Sequence, residues 1–359
     1  MTLDLSLLPD GGMPWITASG AHADIVLSSR VRLARNVAGF AFSPRARDGE
    51  RLLVLQHVRE AAVHVDLLSQ AVSLRLDEMT ANERRLLYER HLVSRELAEL
   101  DAATARSGAA VLVGEEAALM VNEEDHLRLQ VFRSGFDIGG AWERAGRVDR
   151  ELGAVLPLAF HREFGFLTSC PTNVGTGLRA SVLVHLPGLV LTQEIGKVLT
   201  GLQQMGLTYR GLYGEGSEVV GNFFQISNQT TLGRGEDELC DHLERVVSHV
   251  ISREEEARRV LIRDAGYIIE DKLWRAYGTL RYARSLGVDE AMNLLSGVRL
   301  AVGLKLVAGL SVYTLNKLLV YSQLGHLSLA EGRVLTESEA GLARARHVRG
   351  VLAGEGGSA

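Results

Sequence analysis

The sequence of 359 residues has only two cysteines, Cys170 and Cys240, and they lie far apart along the chain. So few cysteines argue against a disulfide framework and against a zinc site built on thiolates. No apolar run approaches the roughly 20 residues that a membrane-spanning helix needs. The first residues, MTLDLSLLPDGG, carry acids where a secretion signal would be basic. These absences favour a cytoplasmic protein that does not enter a membrane.

Lysine is scarce as well, because only four of the 39 basic residues are lysine. One interpretation is the base composition of the genome, and the other is selection for surface arginines that are themselves modified. The formal net charge is −5, so no overall basic field indicates a nucleic-acid or membrane partner. Hydrophobic residues make up 46% and charged residues 23%. This composition is ordinary for a globular protein, and the length predicts two domains.

The usual phosphate-binding motifs are also missing. The chain has no G-x-x-x-x-G-K-[ST] loop, and it has neither the H-R-D nor the D-F-G motif of protein kinases. If the protein uses a nucleotide, another set of residues must hold the phosphates. Arginine is suited to this task, because its planar guanidinium group donates hydrogen bonds in a fork that matches phosphate oxygens.

The most informative stretch is Leu167–Leu186, LTSCPTNVGTGLRASVLVHL. Pro171 fixes one backbone angle, and the two glycines that follow permit conformations that other residues resist. A rigid turn of this kind can bring Cys170 and Arg179 to one site, with the thiol acting as a thiolate. A glycine-rich loop around a buried structural cysteine explains the stretch equally well.

Two other segments carry charged residues in suggestive positions. Ile25–Asn36 reads as a strand in which Arg30 and Arg32 share one face. Such a pair either faces solvent or binds an anion. Further on, Glu124 lies in a run of acids four residues before Arg128. Exposed carboxylates are common, but held beside a cation they can orient it and accept a proton.

Five segments, in order, resemble the phosphagen kinases, which phosphorylate the guanidinium group of arginine or creatine. They are SSRVRLARN at 28–36, RHL at 90–92, VNEEDHLR at 121–128, CPTNVGTGLRAS at 170–181 and RGLYGEGSE at 210–218. SSRVR comes almost at once, which suggests that the small helical N-terminal domain of the classical enzymes is missing. A long helical region follows the matched segments. This layout resembles the bacterial protein-arginine kinases.

The resemblance implies an α+β fold, with an antiparallel sheet flanked by helices in a catalytic domain at 20–255. Periodicity predicts an all-helical domain at 256–352, and the glycine-rich residues 353–359 predict a disordered tail. A helix is expected over Asp48–Ala71, and another after Thr80, whose partner in a capping box would be Glu83. Residues 1–24 read as a loose arm, with Trp15 pinned to the body of the protein.

The resemblance also assigns roles to residues. Glu124, Cys170 and Glu215 would be catalytic. Independently of the resemblance, Thr172 stands two residues after Cys170, where it could donate a hydrogen bond to the thiolate. His91 would lie against the adenine of ATP. Mg²⁺ would accompany the nucleotide, although no dedicated acidic cage for a metal is visible. Nucleotide binding is expected at Ser28, Ser29, Arg30, Val31, Arg32, His91, Arg128, Arg179, Ala180, Ser181, Val182, Leu183, Arg210, Gly211, Leu212, Tyr213, Gly214 and Glu215.

The expected function is ATP-dependent phosphorylation of arginine residues in proteins, marking them for stress-related quality control or degradation. The expected partners are protein substrates, a Clp-type protease system, an activator protein and a second copy of the chain, without nucleic acid or membrane. One alternative is a kinase for free arginine or another small guanidino compound. A different alternative is an inactive scaffold that binds phosphoarginine or a protease.

The C-terminal helix departs from the family pattern. Many protein-arginine kinases carry an Arg-Asp-x-x-Arg-Ala motif there, which binds phosphoarginine. Here the matching residues are Ala340-Gly341-Leu342-Ala343-Arg344-Ala345, so the leading Arg-Asp pair is replaced. A single arginine without an acid to orient it is a poor phosphate clamp. We therefore expect Arg344 to be solvated and free phosphoarginine not to bind tightly.

Overall fold

The computed structural model describes residues 4–100, 107–213 and 218–355. The strands are β1 Val26–Arg35, β2 Val72–Arg75, β3 Ala110–Val113, β4 Ala117–Val121, β5 Leu127–Ser134, β6 Phe160–His161, β7 Gly165–Phe166, β8 Leu178–His185, β9 Leu207–Arg210 and β10 Phe223–Asn228. The helices are α1 Asp48–Ala62, α2 Ala81–Glu89, α3 Arg95–Ala98, α4 Ile138–Val155, α5 Pro187–Leu191, α6 Ile195–Gln204, α7 Glu236–Tyr282, α8 Val288–Gly303, α9 Val312–Tyr321, α10 Leu324–Ala330 and α11 Glu337–Glu355.

Within these residues, eight strands form one antiparallel sheet in the order β2-β3-β4-β5-β1-β8-β10-β9, and β6 and β7 form a separate hairpin. Strands β5 and β8 both pair antiparallel with β1, so they run parallel to each other on its two sides. Both therefore begin at the end of the sheet where β1 finishes. The loops that precede them, at 122–126 and 167–177, meet at this end.

The two faces of the sheet have opposite character. On one face Val31 and Leu33 of β1 join the main hydrophobic core, to which α1, α4 and the first part of α7 contribute. On the other face lie Arg30 and Arg32, as strand alternation predicts. We call this second surface the polar face. The helical domain packs against one part of it, because Leu183 of β8 belongs to the same hydrophobic cluster as α8 and α9.

Several sequence predictions of local structure are confirmed and others are wrong. Thr80 and Glu83 form the expected capping box at the start of α2. Helix α1, however, ends at Ala62 instead of residue 71. The residues that follow form turns, and these turns still bury Val65 and Leu68 in the main core without a continuing helix. The expected strand at β1 is present.

The N-terminal arm is not loose where the structure describes it. Trp15 and Ile16 are buried against Phe132 of β5 and Val320 of α9. The backbone carbonyl of Ile16 also accepts a hydrogen bond from Asn316 at 2.9 Å. The arm is therefore held between the sheet and the helical domain, and Trp15 lies beside the polar face.

A single helix crosses the predicted domain boundary. Helix α7 runs from Glu236 to Tyr282, with a kink at Ala265, whose φ and ψ of −143° and 28° are not helical. Residues 255 and 256 both lie inside this helix, so the division into 20–255 and 256–352 remains a prediction. Helix α11 continues to Glu355, three residues into the predicted tail, and 356–359 lie outside the described residues.

Candidate functional site

Arginines from three neighbouring strands converge on the polar face. In the register of the sheet, Arg32 of β1 stands opposite Arg179 of β8, and Ala34 of β1 stands opposite Arg128 of β5. Directly paired residues in an antiparallel sheet project to the same face. Arg30 lies two residues before Arg32 on that face, with its guanidinium 5.3 Å from the centre of the Phe132 ring.

These arginines repel one another in a poorly solvated place. Burial, reinforced by the charges of Arg179 and Arg128, lowers the pKa of Arg30 to about 10. Burial and the neighbouring guanidinium groups also hold the pKa of Arg32 well below its usual value. The Nε atom of Arg32 is buried and has no hydrogen-bond partner among the described residues. Such an arrangement is unfavourable unless an anion joins it, so the polar face is suited to a polyphosphate.

Arg128 is paired with two acids. Its Nη1 donates to Glu123 and its Nη2 to Glu124, both at 2.8 Å. Burial alone would lower the pKa of Arg128, but the carboxylates of Glu123, Glu124 and Asp125 outweigh it and raise the pKa. Glu124 is therefore held in a fixed position at the edge of the arginine cluster.

Asp125 joins the acidic loop to the cysteine loop. Its Oδ1 accepts hydrogen bonds from the backbone N–H of Ser169 at 2.6 Å and from Asn36 at 2.7 Å. Because Asp125 follows Glu124 and Ser169 precedes Cys170, these bonds hold the two candidate catalytic residues in neighbouring segments. Sequence reasoning missed Asp125 and Asn36 as positioning residues, although both stand inside matched segments.

The turn that carries Cys170 is fixed by hydroxyl groups. The Sγ of Cys170 lies 3.0 Å from the Oγ1 of Thr172, as the sequence suggested. Thr231 donates from its Oγ1 to the carbonyls of Thr172 and Val174, both at 2.8 Å. The Cys170 side chain is half-buried. The thiol can thus reach a substrate while its backbone stays rigid.

Cys240 is of a different kind. It is buried in the main core on α7, and this burial, with the nearby acids of the same helix, raises the pKa of its thiol to about 12. Its environment supports the expectation that it serves only packing.

Aromatic side chains line the opening beside Arg30. The ring of His91 stacks on Tyr213 with centroids 5.1 Å apart, and Trp15 meets His91 edge-on at 5.2 Å. Burial and the charges of Arg30 and Arg32 lower the pKa of His91 to about 3, so its ring is neutral. This opening offers apolar rings next to cations, which suits a nucleoside base attached to phosphates. Trp15 is a further candidate that sequence reasoning missed.

The structure separates the predicted nucleotide-binding residues by face. Ser28, Arg30, Ser181, Leu183 and Leu212 line the opening with His91. Arg210 of β9 pairs with Gln225, another residue of that lining, and Gly211 and Tyr213 follow directly. By contrast, the side chains of four residues lie on the opposite face, where strand alternation places them, and their part in nucleotide binding stays a prediction: Ser29, Val31, Ala180 and Val182. Gly214 and Glu215 lie outside the described residues.

No group of three or more His, Cys, Asp or Glu side chains that could hold a metal ion is present in the described part of the chain. The same residues include no helix long and apolar enough to cross a bilayer.

Comparison with known proteins identifies the family. The model of the ATP:guanido phosphotransferase C-terminal catalytic domain matches residues 54–257, and that of the protein-arginine kinase McsB C-terminal domain matches 267–357. The protein-arginine kinase of Symbiobacterium thermophilum is 45% identical over 341 residues, which cover 94% of this chain and 96% of that protein. This chain belongs to the protein-arginine kinase family. The kinase of Moorella thermoacetica is 44% identical, over 98% of this chain and all of that protein.

Solved structures agree with the fold. Lombricine kinase superposes with a TM-score of 0.58 at 25% identity, covering 68% of this chain and 71% of that one. The duplicated taurocyamine kinase from Schistosoma mansoni, bound to components of a transition-state analogue, gives 0.57 at 26% identity, over 68% of this chain and 37% of that one. The predicted α+β fold of a guanidino phosphotransferase is confirmed.

Arg344 of the kinase is not solvated, which corrects the sequence interpretation. It is buried in the helical domain, where its Nε donates to the carbonyl of Ser322 at 2.8 Å and its Nη1 to that of Leu286 at 2.7 Å. Ala340, at the first position of the motif, is also buried. Arg344 therefore ties three segments of the domain together and is occupied by backbone carbonyls.

We expect free phosphoarginine not to bind the helical domain at micromolar concentration, because Arg344 would have to leave two buried carbonyls to reach a phosphate. Calorimetric titration of phosphoarginine into a Cys170→Ala protein is the measurement. Arg344→Met should lower thermal stability without altering this titration. Micromolar binding that Arg344→Met abolishes would contradict the prediction.

Proposed function

We propose that this protein transfers the γ-phosphoryl group of ATP to the guanidinium group of arginine residues in other proteins. The observation that carries the proposal is the cluster of arginines on the polar face, which ends beside Glu124 and the Cys170 turn. The naming of relatives such as that of Bacillus cereus, 39% identical over 97% of this chain, as protein-arginine kinases supports it.

The arginine cluster would bind the phosphates of ATP. Arg30, Arg32, Arg179 and Arg210 project to the polar face, and the neutral ring of His91, which lines the opening beside Arg30, would contact the adenine. Phosphoryl transfer depends mainly on positioning and on neutralising negative charge. Mg²⁺ bound to the nucleotide would add to this neutralisation, and the phosphate oxygens would be its principal ligands.

The acceptor needs alignment and loss of a proton. A guanidinium group is protonated at neutral pH and has no lone pair for attack. Glu124 can accept one of its protons while the Cys170 thiolate aligns it, and Glu215 is proposed as a second carboxylate by family resemblance. A bond then forms between a guanidinium nitrogen and the γ-phosphorus, and the bond to the oxygen of ADP breaks. The phosphorylated arginine and ADP leave, and the proton goes to solvent.

The cellular setting is a proposal as well. The protein would mark other proteins on arginine for stress-related quality control. Its partners would be a Clp-type protease system, an activator protein and a second copy of the chain in a homodimer. Its location would be cytoplasmic.

We expect phosphate on protein arginine and hardly any on free arginine, by at least about tenfold in initial rate. The protein should be incubated with ATP and either unfolded casein or free arginine at equal arginine concentration, and the acid-labile phosphate should be located. A Cys170→Ala protein serves as the blank. Faster turnover of free arginine would favour the alternative of a small-substrate guanidino kinase, and transfer to neither would favour the inactive scaffold.

A further inference from the structure

A groove adjoins the turn that carries Cys170. It has a volume of about 470 Å³ and lies between the β6–β7 hairpin and the start of α7. Its wall includes Gly175, Thr176 and Thr231, and Thr231 also donates to the carbonyls of the cysteine turn. A volume of this order, within the roughly 300–1,000 Å³ range of binding clefts, holds a few side chains.

The groove depends on backbone segments that approach each other closely. Gly165 and Gly175 have φ values of 75° and 110°, which side-chain-bearing residues rarely adopt. A Cβ atom on Gly165 would lie 2.6 Å from the carbonyl oxygen of Gly175, and one on Gly175 would lie 2.4 Å from that of Thr231. Two backbone hydrogen bonds join Phe166 and Gly175. The hairpin, the cysteine turn and the approach to α7 are therefore one rigid unit.

Large apolar side chains stand exposed around this groove. Phe160 and Phe164 of the hairpin and Leu232 before α7 are 59%, 46% and 57% exposed. Three such residues around a single groove mark an interaction surface more clearly than scattered ones would. The charged residues of the lining are three glutamates and one arginine: Glu163, Glu236, Glu238 and Arg234. Arg234 lies 3.4 Å from Glu238 and offsets its charge, so the charges of the other two glutamates leave the groove negative overall.

We infer that this groove receives the residues that flank the target arginine in an unfolded, basic segment of a substrate protein. This inference rests on the proposed function and deepens it. Unfolded chains expose apolar side chains that could cover the phenylalanines, and segments rich in arginine and lysine complement the glutamates. A phosphate-bearing ligand would be repelled by the same carboxylates.

The test uses the full chain and peptides of equal length with one central arginine, flanked by lysine and leucine, by alanine, or by glutamate. The unmodified protein should show the highest kcat/KM on the peptide with lysine and leucine and the lowest on that with glutamate. Phe160→Ser with Phe164→Ser should lower kcat/KM on the first peptide at least about tenfold, since burial of even one such ring is worth that much. Nucleotide affinity should stay unchanged.

A charge reversal gives a test that does not rely on lost packing. Glu163→Lys should narrow the preference for lysine-flanked over glutamate-flanked peptide about two- to fivefold, the usual worth of one exposed ion pair. For the phenylalanine variants, Val63→Ser is the matched control, because Val63 is an apolar residue that is 59% exposed on the same domain and is not part of the groove.

The outcomes separate the two proposals. If the unmodified protein phosphorylates the peptides but the groove variants keep its rates and flank preference, the groove inference is wrong and the proposed function stands. If the phenylalanine variants change the oligomeric state and not peptide use, the groove is a contact between copies and the inference is also wrong. If no peptide is phosphorylated at all, the proposed function itself fails.

Discussion

Cys170→Ala should lower the rate of arginine phosphorylation by about 10² or more while ATP still binds, since alignment and proton transfer by a positioned group typically contribute 10²- to 10⁴-fold. The thiol lies 3.0 Å from Thr172 on the turn that Asp125 and Thr231 hold in place. Cys170 is not one of the residues proposed to bind the phosphates of ATP. Initial rates on unfolded casein and calorimetric titration with ATP measure the two effects separately.

Cys240→Ala is the natural control, because Cys240 is buried in the core and far from the turn in sequence. This variant should lose some thermal stability and no activity. Thr172→Val should slow phosphorylation about two- to tenfold, because it removes the hydroxyl 3.0 Å from the Cys170 Sγ and one hydrogen bond is worth about 0.5–1.5 kcal/mol. A fully active Cys170→Ala protein would move the chemistry to Glu124 and Glu215 and would refute the role given to the thiol.

Arg32→Met should have effects of opposite sign on stability and on binding. The free protein should become more stable, because the variant removes a half-buried, poorly solvated charge that Arg30 and Arg179 repel and puts an apolar chain of similar length in its place. A gain of 1 kcal/mol would raise Tm by about 1–2 °C, because the unfolding entropy of a 359-residue chain is about 750 cal/mol/K. Affinity for ATP should fall at least about tenfold, since a charged hydrogen bond contributes about 1.5–3 kcal/mol.

Thermal unfolding with and without ATP shows both effects in one experiment. The exposed Arg45, changed to methionine, should leave both values nearly unchanged. If Arg32→Met lowered Tm without ATP and kept normal affinity, Arg32 would be a structural residue and the polar face would not be the phosphate site.

The parts of the site that local sequence could predict are those set by spacing. Arg30 and Arg32 share a face because strands alternate, and the capping box of Thr80 and Glu83 involves residues three positions apart. The same alternation places the side chains of Val31 and Val182 in the main core, so their assignment to nucleotide binding rests on family resemblance alone and stays a prediction. The family resemblance covers continuous segments of sequence, whereas in a strand only every second side chain lies on the polar face.

The parts that sequence could not predict depend on contacts between distant segments. The bond between Asp125 and the N–H of Ser169 exists only because β5 and β8 begin at the same end of the sheet. Trp15 reaches His91 through the packing of the arm. Helix α4 was not predicted, although its cap is local, because Asp137 accepts a hydrogen bond from the N–H of Gly140. Glycines such as Gly140 lower the helix propensity of this segment.

The path of helix α7 affects how this protein unfolds and where a protease can cleave it. It starts beside the groove and ends in the helical domain, and Val250 and Ala257, on either side of the predicted boundary, are both buried. Domains usually separate at exposed linkers with few contacts, whereas here the crossing point is a packed helix. A protease would therefore find no exposed hinge at residue 255 to cut. The two domains should unfold in a single cooperative step. A molecule in which the helical domain unfolds should therefore lose the fold of the proposed phosphotransfer site as well.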